Sequence, residues 1–122
     1  MIVLHWTASA TADAAWSTFA PARRRAARAD LGGGVQVNVS SQFLVDRDGT
    51  IYRLMPETWM ARHTIGLNHV AIGVENVGGG DAGALTTAQV GADAALVRWL
   101  AGRYPITHLI GHYEYRAFEG HQ

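Results

Sequence analysis

The sequence predicts a single α/β domain in which helices pack on a mixed central β-sheet. Short apolar runs rich in β-branched residues alternate along the chain with alanine-rich amphipathic segments, which is typical of strands and helices that share one core. The length of 122 residues matches one domain. The content of 48% apolar and 16% charged residues is typical of a chain that buries a core rather than of a disordered one.

The first part of the chain predicts one strand and one or two helical segments. The apolar run from Ile2 to Thr7 predicts a buried strand. Thr11 predicts a helix start near Ala12, because its hydroxyl can accept a hydrogen bond from a free amide of the first turn, and Pro21 ends this helix. The alanine-rich stretch that follows predicts a second helical piece with a solvated basic face or, alternatively, a patch for an anionic ligand: Arg23, Arg24, Arg25 and Arg28.

The middle of the chain predicts strands. Phe43–Val45 and Ile51–Leu54 are expected to pair as a β-hairpin, because Asp48 and Gly49 lie between them and glycine accepts the positive φ of a tight turn. The apolar run Val70–Val77 predicts a central strand of the sheet.

The last third predicts a helix and a short strand. Thr86 and Gln89 match a capping box, in which each side chain bonds the backbone amide of the other residue. The helix is expected to end near Arg103, with a buried stripe formed by Val90, Ala94, Val97 and Ala101 and widened by Leu96 and Leu100. Thr107–Gly111 predicts the last strand.

The composition excludes several functional classes. The chain has no cysteine, which excludes disulfides, iron–sulfur clusters and thiolate nucleophiles within it. Its net charge of zero argues against a nucleic-acid partner, because binding to phosphate backbones favours a basic excess. We expect no membrane span, because no apolar run approaches the roughly 20 residues that one requires. The first residues lack the basic and long apolar segments of a signal peptide, so we expect none in this sequence.

Histidines are the outstanding candidates for chemistry. Six occur in the chain: His5, His63, His69, His108, His112 and His121. Neutral imidazole is a common zinc ligand. His5 lies near the end of the first predicted strand and His112 just past the end of the last, and strand ends are where sites gather in α/β sheets. The two rings could therefore meet at one metal ion, with a structural or surface role as the alternative for each histidine.

Glu75 is the second unusual residue, because it lies inside a predicted central strand. A carboxylate there must be paired, hydrated in a cleft, or functional. The alternative to a functional role is a structural carboxylate held by one of the arginines.

These segments together resemble the zinc-dependent N-acetylmuramoyl-L-alanine amidases, whose fold is shared with peptidoglycan recognition proteins. The similar stretches follow the family's order and spacing from one end of the chain to the other: His5–Ala8, Val39–Tyr52, Met55–Glu57, Asn68–Glu75 and Gly111–Tyr115. The resemblance implies a domain that spans residues 1–122, Zn²⁺ as the cofactor, His5 and His112 as two of its ligands, and Glu75 as the general base.

The resemblance also implies contacts with the substrate. His63 is expected to line the substrate cleft, with a satisfied loop histidine as the alternative. Gln42 and Asn68 are expected to contact substrate as well, although relatives often carry histidine or tyrosine at the position of Gln42, so this contact is expected to be altered. His69 and His108 match no catalytic position, and we interpret them as structural.

The third zinc ligand is where this sequence departs from the family pattern. Family members supply an aspartate or cysteine after the second histidine, commonly beside a lysine, whereas this chain has no cysteine, no lysine and no aspartate after Asp93. We therefore expect a C-terminally truncated domain in which residues 113–122 are loop-like and largely exposed. A substitute ligand is the alternative: Glu114, Glu119 or His121.

The resemblance implies hydrolysis of the amide that joins N-acetylmuramic acid to L-alanine in peptidoglycan. The expected partner is peptidoglycan or a muropeptide, the expected location is the cell envelope or outside the cell, and the expected state is a monomer. The alternative is a non-catalytic module that recognises peptidoglycan, because the family fold also supports recognition without hydrolysis.

Overall fold

A computed structural model describes residues 1–21 and 38–118 of the chain. It contains five strands: β1 (Ile2–Trp6), β2 (Phe43–Val45), β3 (Ile51–Arg53), β4 (Ile72–Asn76) and β5 (Leu109–Gly111). It also contains the helices α1 (Ala12–Phe19) and α2 (Thr87–Ala101), and two 3₁₀ helices at Gly80–Ala82 and His112–Phe118. The predicted second helical piece, with Arg23, Arg24, Arg25 and Arg28, lies outside the described residues, as do Glu119 and His121.

The five strands form one mixed sheet in the order β3-β2-β4-β1-β5. Strand β4 pairs in parallel with β1 and β2, β1 pairs in parallel with β5, and only the β2–β3 hairpin is antiparallel. This confirms the predicted α/β domain with a mixed central sheet. Because β1, β4 and β5 run in parallel, their carboxyl ends lie at one edge of the sheet, where His5 is directly opposite Glu75.

The local signals in the sequence correspond to observed turns and caps. Gly49 has a φ of 88° in the turn between β2 and β3. The Thr11 hydroxyl accepts a hydrogen bond from the amide of Ala14 at the start of α1. Thr86 and Gln89 form the reciprocal capping box at the start of α2. These features need only residues that are neighbours in sequence, which is why the sequence predicts them.

The two faces of the sheet carry separate apolar clusters. One face packs against α2, where Leu96 and Leu100 join a cluster of strand residues: Ile2, Phe43, Val45, Ile72 and Val74. The opposite face is covered by α1 through Ala15 and by the final 3₁₀ helix through Tyr115 and Phe118. The candidate site lies on this second face, between those two covering elements.

The predicted buried stripe of α2 is confirmed at Leu96 and Leu100 but wrong at Val90, Ala94 and Ala101. The buried positions are Gln89, Asp93, Leu96 and Leu100, whereas Val90, Ala94 and Ala101 are exposed and Val97 is half-buried. The cause is the amide of Gln89, whose Nε2 donates to the carbonyls of Val45 and Val77 at the ends of β2 and β4. These contacts turn a polar residue inward and Val90 outward.

In its described part, the C-terminal segment is largely exposed as expected, but the expectation that it is loop-like is wrong. Residues His112–Phe118 form a 3₁₀ helix. Tyr113 is 86% exposed, but Tyr115 and Phe118 pack against the cluster that contains Val3 and Ile110. Among the described helices, none is both long and apolar enough to cross a membrane.

Candidate active site

Three predicted site residues meet at the carboxyl edge of the sheet. His5 comes from β1, Glu75 from β4, and His112 begins the 3₁₀ helix that follows β5. The rings of His5 and His112 have centroids 4.5 Å apart, with their planes inclined by 54°. His5 Nδ1 lies 4.0 Å from Glu75 Oε1. The topology therefore brings together residues that are up to 107 positions apart in sequence, although their roles as ligands and base stay predictions.

His63 joins this group from the loop that precedes β4. Its Nδ1 lies 3.0 Å from Nε2 of His5, and the two rings are nearly perpendicular. The loop is held by Asn68, whose Oδ1 accepts hydrogen bonds from the amides of His63 and Thr64. Asn68 thus positions the His63 loop, and its predicted contact with substrate stays a prediction.

Gly73 makes room for the His63 ring. A Cβ atom at this position would lie 2.6 Å from Cδ2 of His63 and 2.9 Å from Oγ of Ser41. Contacts that short are repulsive, so any larger residue would displace the ring from β4. The absence of a side chain at Gly73 is therefore a requirement of the site geometry.

Gln42 lies behind this site rather than in it. It is 1% exposed, its Nε2 donates to the carbonyl of Trp59, and its Oε1 accepts from the amide of Gly73. Both ends of the side chain are thus occupied by backbone groups, which connect the Trp59 loop to β4. This is a scaffolding arrangement, and the substrate contact predicted for Gln42 stays a prediction.

Burial keeps the histidines of the site neutral at pH 7. It lowers the pKa of His5 to about 3, with smaller contributions from His63 and His112. It also lowers the pKa of His63 to about 4, and it lowers that of His112. A neutral imidazole keeps a lone pair that can bind a metal ion. Because His5 is uncharged, its 4.0 Å separation from Glu75 is neither an ion pair nor a hydrogen bond.

Glu75 is a buried carboxyl with a raised pKa. The residue is 9% exposed, and burial raises the pKa of its carboxyl to about 7. Its Oε2 is buried without a hydrogen-bond partner among the described residues. A buried carboxyl with an unpartnered oxygen in the same cleft as three imidazoles is a candidate general base, and that role stays a prediction.

A cleft of about 270 Å³ gives access to the site. It is lined by His5, His63, Glu75 and His112 from the sheet side and by Ala15 and Phe19 of α1. A second cavity of about 440 Å³ is also lined by His5 and His112, together with Trp6 and Tyr113. Both histidines therefore border two cavities.

The donor set for a metal ion is incomplete in the described residues. His5 and His112 supply two neutral imidazoles, but no group of three or more histidine, aspartate or glutamate side chains in residues 1–21 and 38–118 is arranged to hold a metal ion. The Glu114 carboxylate accepts a hydrogen bond from the amide of Gly111 at the start of the last 3₁₀ helix. Glu119 and His121, the other two predicted substitutes, lie outside the described residues.

His69 and His108 are not among the residues that meet at the site. His69 is exposed and lines a different cavity beside Trp59 and Tyr104. The His108 ring lies 5.2 Å from that of Phe118, and its Nδ1 contacts the Thr107 hydroxyl. Sequence reasoning missed Thr64, whose buried hydroxyl contacts both His5 and His63. Its only signal in the sequence is its position beside His63.

Comparisons with known proteins identify a matching family model and similar folds. The family model described as N-acetylmuramoyl-L-alanine amidase matches residues 1–122. No curated protein gives a significant match.

Solved structures with the same fold include enzymes and a recognition protein. The amidase LysC from Clostridium intestinale URNW is 27% identical, with a TM-score of 0.67, and the match covers 93% of this chain and 70% of LysC. The endolysin LysCS from the same organism is 28% identical, with a TM-score of 0.66, over 93% and 68% of the two chains. Human PGRP-IBETAC, solved with a glycosamyl muramyl pentapeptide, is 19% identical with a TM-score of 0.69 over 93% and 70% of the two chains, which shows likeness of fold alone.

Proposed function

This chain belongs to the N-acetylmuramoyl-L-alanine amidase family, and from that premise we propose that it hydrolyses the amide between N-acetylmuramic acid and L-alanine in peptidoglycan with the help of Zn²⁺. The observation that carries the proposal is the meeting of His5, His112 and Glu75 at the carboxyl edge of the sheet. The substrate would be peptidoglycan or a muropeptide. The protein would act as a monomer, at the cell envelope or outside the cell.

The residues present fit two ligands of a zinc ion. His5 and His112 are neutral, close together and open to the cleft, which suits them to bind Zn²⁺ through ring nitrogens. When bound, Zn²⁺ would supply a Lewis acid that polarises the carbonyl of the amide. The described residues bring two histidine donors together without a third in place. We propose that the C-terminal segment supplies the third ligand, for which Glu114, Glu119 and His121 are the candidates in this sequence.

Glu75 would move the proton during hydrolysis. Its carboxylate takes a proton from the attacking water as the new bond forms between oxygen and the carbonyl carbon. It then passes this proton to the nitrogen of L-alanine as the carbon–nitrogen bond breaks, which gives the lactyl carboxylic acid and a free amine; the acid then loses its proton to the amine or to solvent. A pKa of about 7 suits both transfers, because the group can accept and release a proton near neutral pH.

The remaining cleft residues would position the substrate. His63 lines the same cleft as the proposed ligands and base, and its ring is fixed by its contacts with His5 and with the carbonyl of Ala71. We propose that the sugar–peptide junction enters between this ring and α1, where Ala15 and Phe19 form the apolar wall.

A recognition module that does not hydrolyse its ligand is the second candidate function. It is favoured by the absence of a three-donor metal group in the described part of the chain. The human PGRP-IBETAC structure, with its bound muramyl pentapeptide, has the same fold. The two candidates differ in whether a muropeptide is consumed or only bound.

Two measurements separate these functions. The first is zinc stoichiometry by elemental analysis of the purified chain, for which the hydrolase requires bound zinc. The second is incubation with a muropeptide, followed by detection of the newly released amino group of L-alanine. Amine release that stops when a chelator is added supports the zinc hydrolase. Saturable binding of the muropeptide without amine release supports the recognition module, and neither binding nor release contradicts both.

A further inference from the structure

A buried hydroxyl lies between two imidazoles of the site. Thr64 is 2% exposed. Its Oγ1 is 3.0 Å from Nδ1 of His63 and 3.3 Å from Nε2 of His5, and those two nitrogens are 3.0 Å apart. The three atoms form a triangle in which each lies within hydrogen-bond distance of the other two. The protons in this triangle follow from what each group is able to donate.

The carbonyl of Ala71 indicates which ring nitrogen of His63 carries the proton. Nε2 of His63 lies 3.4 Å from this carbonyl oxygen. A carbonyl can only accept a hydrogen bond, so this contact is a hydrogen bond only when Nε2 carries the proton, and it favours that tautomer. A neutral imidazole has one N–H, and Nδ1 of His63 is therefore an acceptor.

The tautomer of His63 in turn determines the tautomer of His5. Two unprotonated nitrogens 3.0 Å apart would direct their lone pairs at each other, so Nε2 of His5 must carry a proton. The Thr64 hydroxyl can then donate to His63 and accept from His5 at the same time, because a hydroxyl has one donor and two acceptor sites. The lone pair of His5 is left on Nδ1, the nitrogen nearer to Glu75.

We propose that Thr64 is a positioning residue that holds His5 in the Nε2–H tautomer, so that Nδ1 is the nitrogen offered to a metal ion. Histidine ligands of metals usually donate their second N–H to a carboxylate, a carbonyl or water, which fixes the ring and its tautomer. In this protein the partners are a second imidazole and a threonine hydroxyl. The relevance to metal binding rests on the proposed zinc function, whereas the proton arrangement does not.

Two substitutions isolate the hydroxyl. Thr64→Val keeps the branched shape and removes the hydroxyl, and Thr64→Ser keeps the hydroxyl and removes only a methyl group. Both should leave the loop in place, because Asn68 holds it through the backbone amides of His63 and Thr64. Comparison of the two variants therefore separates hydrogen bonding from packing.

The primary measurement is the tautomer of each histidine in the metal-free chain, read from two-bond ¹H–¹⁵N correlation spectra. We expect His5 and His63 to be Nε2–H in the wild type and in Thr64→Ser, and His5 to become a mixture of tautomers in Thr64→Val. His108 serves as the internal control, because its ring contacts Thr107 and Phe118 rather than the site and its signals should not change. A wild-type spectrum in which His63 is protonated at Nδ1 would overturn the proposal, even if the valine variant fails to fold.

The second measurement is zinc affinity by competition with a chromophoric chelator. Loss of such an outer contact typically weakens metal binding about 10-fold or more, so we expect that loss in Thr64→Val and near wild-type affinity in Thr64→Ser. A valine variant with unchanged tautomers and unchanged affinity would reduce Thr64 to a packing role. If the wild-type chain binds no zinc, the proposed function fails, while the tautomers still decide the role of Thr64.

Discussion

Glu75 and Asp93 are two buried carboxylates on opposite faces of the same sheet, and titration alone does not distinguish them. Burial raises the pKa of Glu75 to about 7 and that of Asp93 to about 6. Each carboxylate also has one oxygen with no hydrogen-bond partner among the described residues. A search for perturbed acids would therefore select both.

Their surroundings distinguish the two groups. Asp93 projects from α2 and accepts a hydrogen bond from Nδ2 of Asn76, on the face that buries Leu96 and Leu100. Glu75 precedes Asn76 in β4, so it points to the other face, toward His5 and the cleft. One strand thus separates a structural polar pair from a candidate active site. The comparison shows that a shifted pKa indicates function only where it coincides with an open cleft and convergent groups.

The largest expected difference between Glu75 and Asp93 appears when each carboxylate is neutralised in turn. In a preparation that hydrolyses muropeptides, we expect Glu75→Gln to lower turnover by about 10²-fold or more, because the amide cannot accept the proton of the attacking water. Asp93→Asn is the matched control and should leave turnover near the wild-type value. The measurement is the rate of amine release at saturating muropeptide, with bound zinc determined in parallel.

Two outcomes of that experiment would contradict the assignment. Near-normal turnover in Glu75→Gln would make Glu75 a structural carboxylate like Asp93. Loss of zinc together with turnover in Glu75→Gln would show that the carboxylate holds the metal ion rather than the proton.

Substitution of two glycines by alanine tests the packing beside the candidate site, at Gly73, and on α2, at Gly91. Gly73 lies against the His63 ring, and an added methyl group would clash with it, so Gly73→Ala should lower the free energy of unfolding by about 1–3 kcal/mol. Gly91 is exposed on α2 with nothing within 4 Å of a built Cβ, so Gly91→Ala should raise that free energy by about 0.5–1 kcal/mol. Urea denaturation measures both changes. Equal stability of the two variants would show that the His63 ring is not fixed against β4.

Much of the fold could be predicted because its signals are local. The hairpin turn at Gly49 and the capping box of Thr86 and Gln89 require only neighbouring residues. The approach of His5 to His112 also follows from the sequence, because both residues lie at the carboxyl ends of strands that proved to be parallel. Parallel pairing makes such ends converge regardless of their distance along the chain.

The contacts that could not be predicted depend on the assembled fold. The inward position of Gln89 depends on the strand-end carbonyls of Val45 and Val77, which come within reach only when α2 docks on the sheet. The contact of Thr64 with His5 spans 59 positions and has no periodic signal. Both cases involve a polar side chain whose burial is stabilised by a distant partner, and such partners cannot be identified from hydrophobic pattern alone.

The last expected effect concerns the pH dependence of stability on the α2 face. The carboxyl of Asp93 titrates at 3.8 when unfolded and at about 6 when folded, so the folded protein holds this proton more tightly. Stability from this group is fully present below pH 3.8 and is lost as the pH rises through about 6. Asp93→Asn removes this loss, and its amide can also donate to the unpartnered Oδ1 of Asn76. The variant should therefore gain about 1–3 kcal/mol over the wild type between these two pH values.

Urea denaturation of both proteins from pH 4 to pH 7 measures this difference. The buried histidines act in the opposite direction over the same range, because the unfolded chain protonates His5 and His63 below pH 6.5 while the folded protein keeps them neutral to about pH 3 and 4. Both proteins share that contribution, so it cancels in the difference between them. A difference that stays constant with pH would show that the Asp93 carboxyl is not perturbed by its burial. Glu75 would then be the only one of the two carboxylates whose environment changes its chemistry.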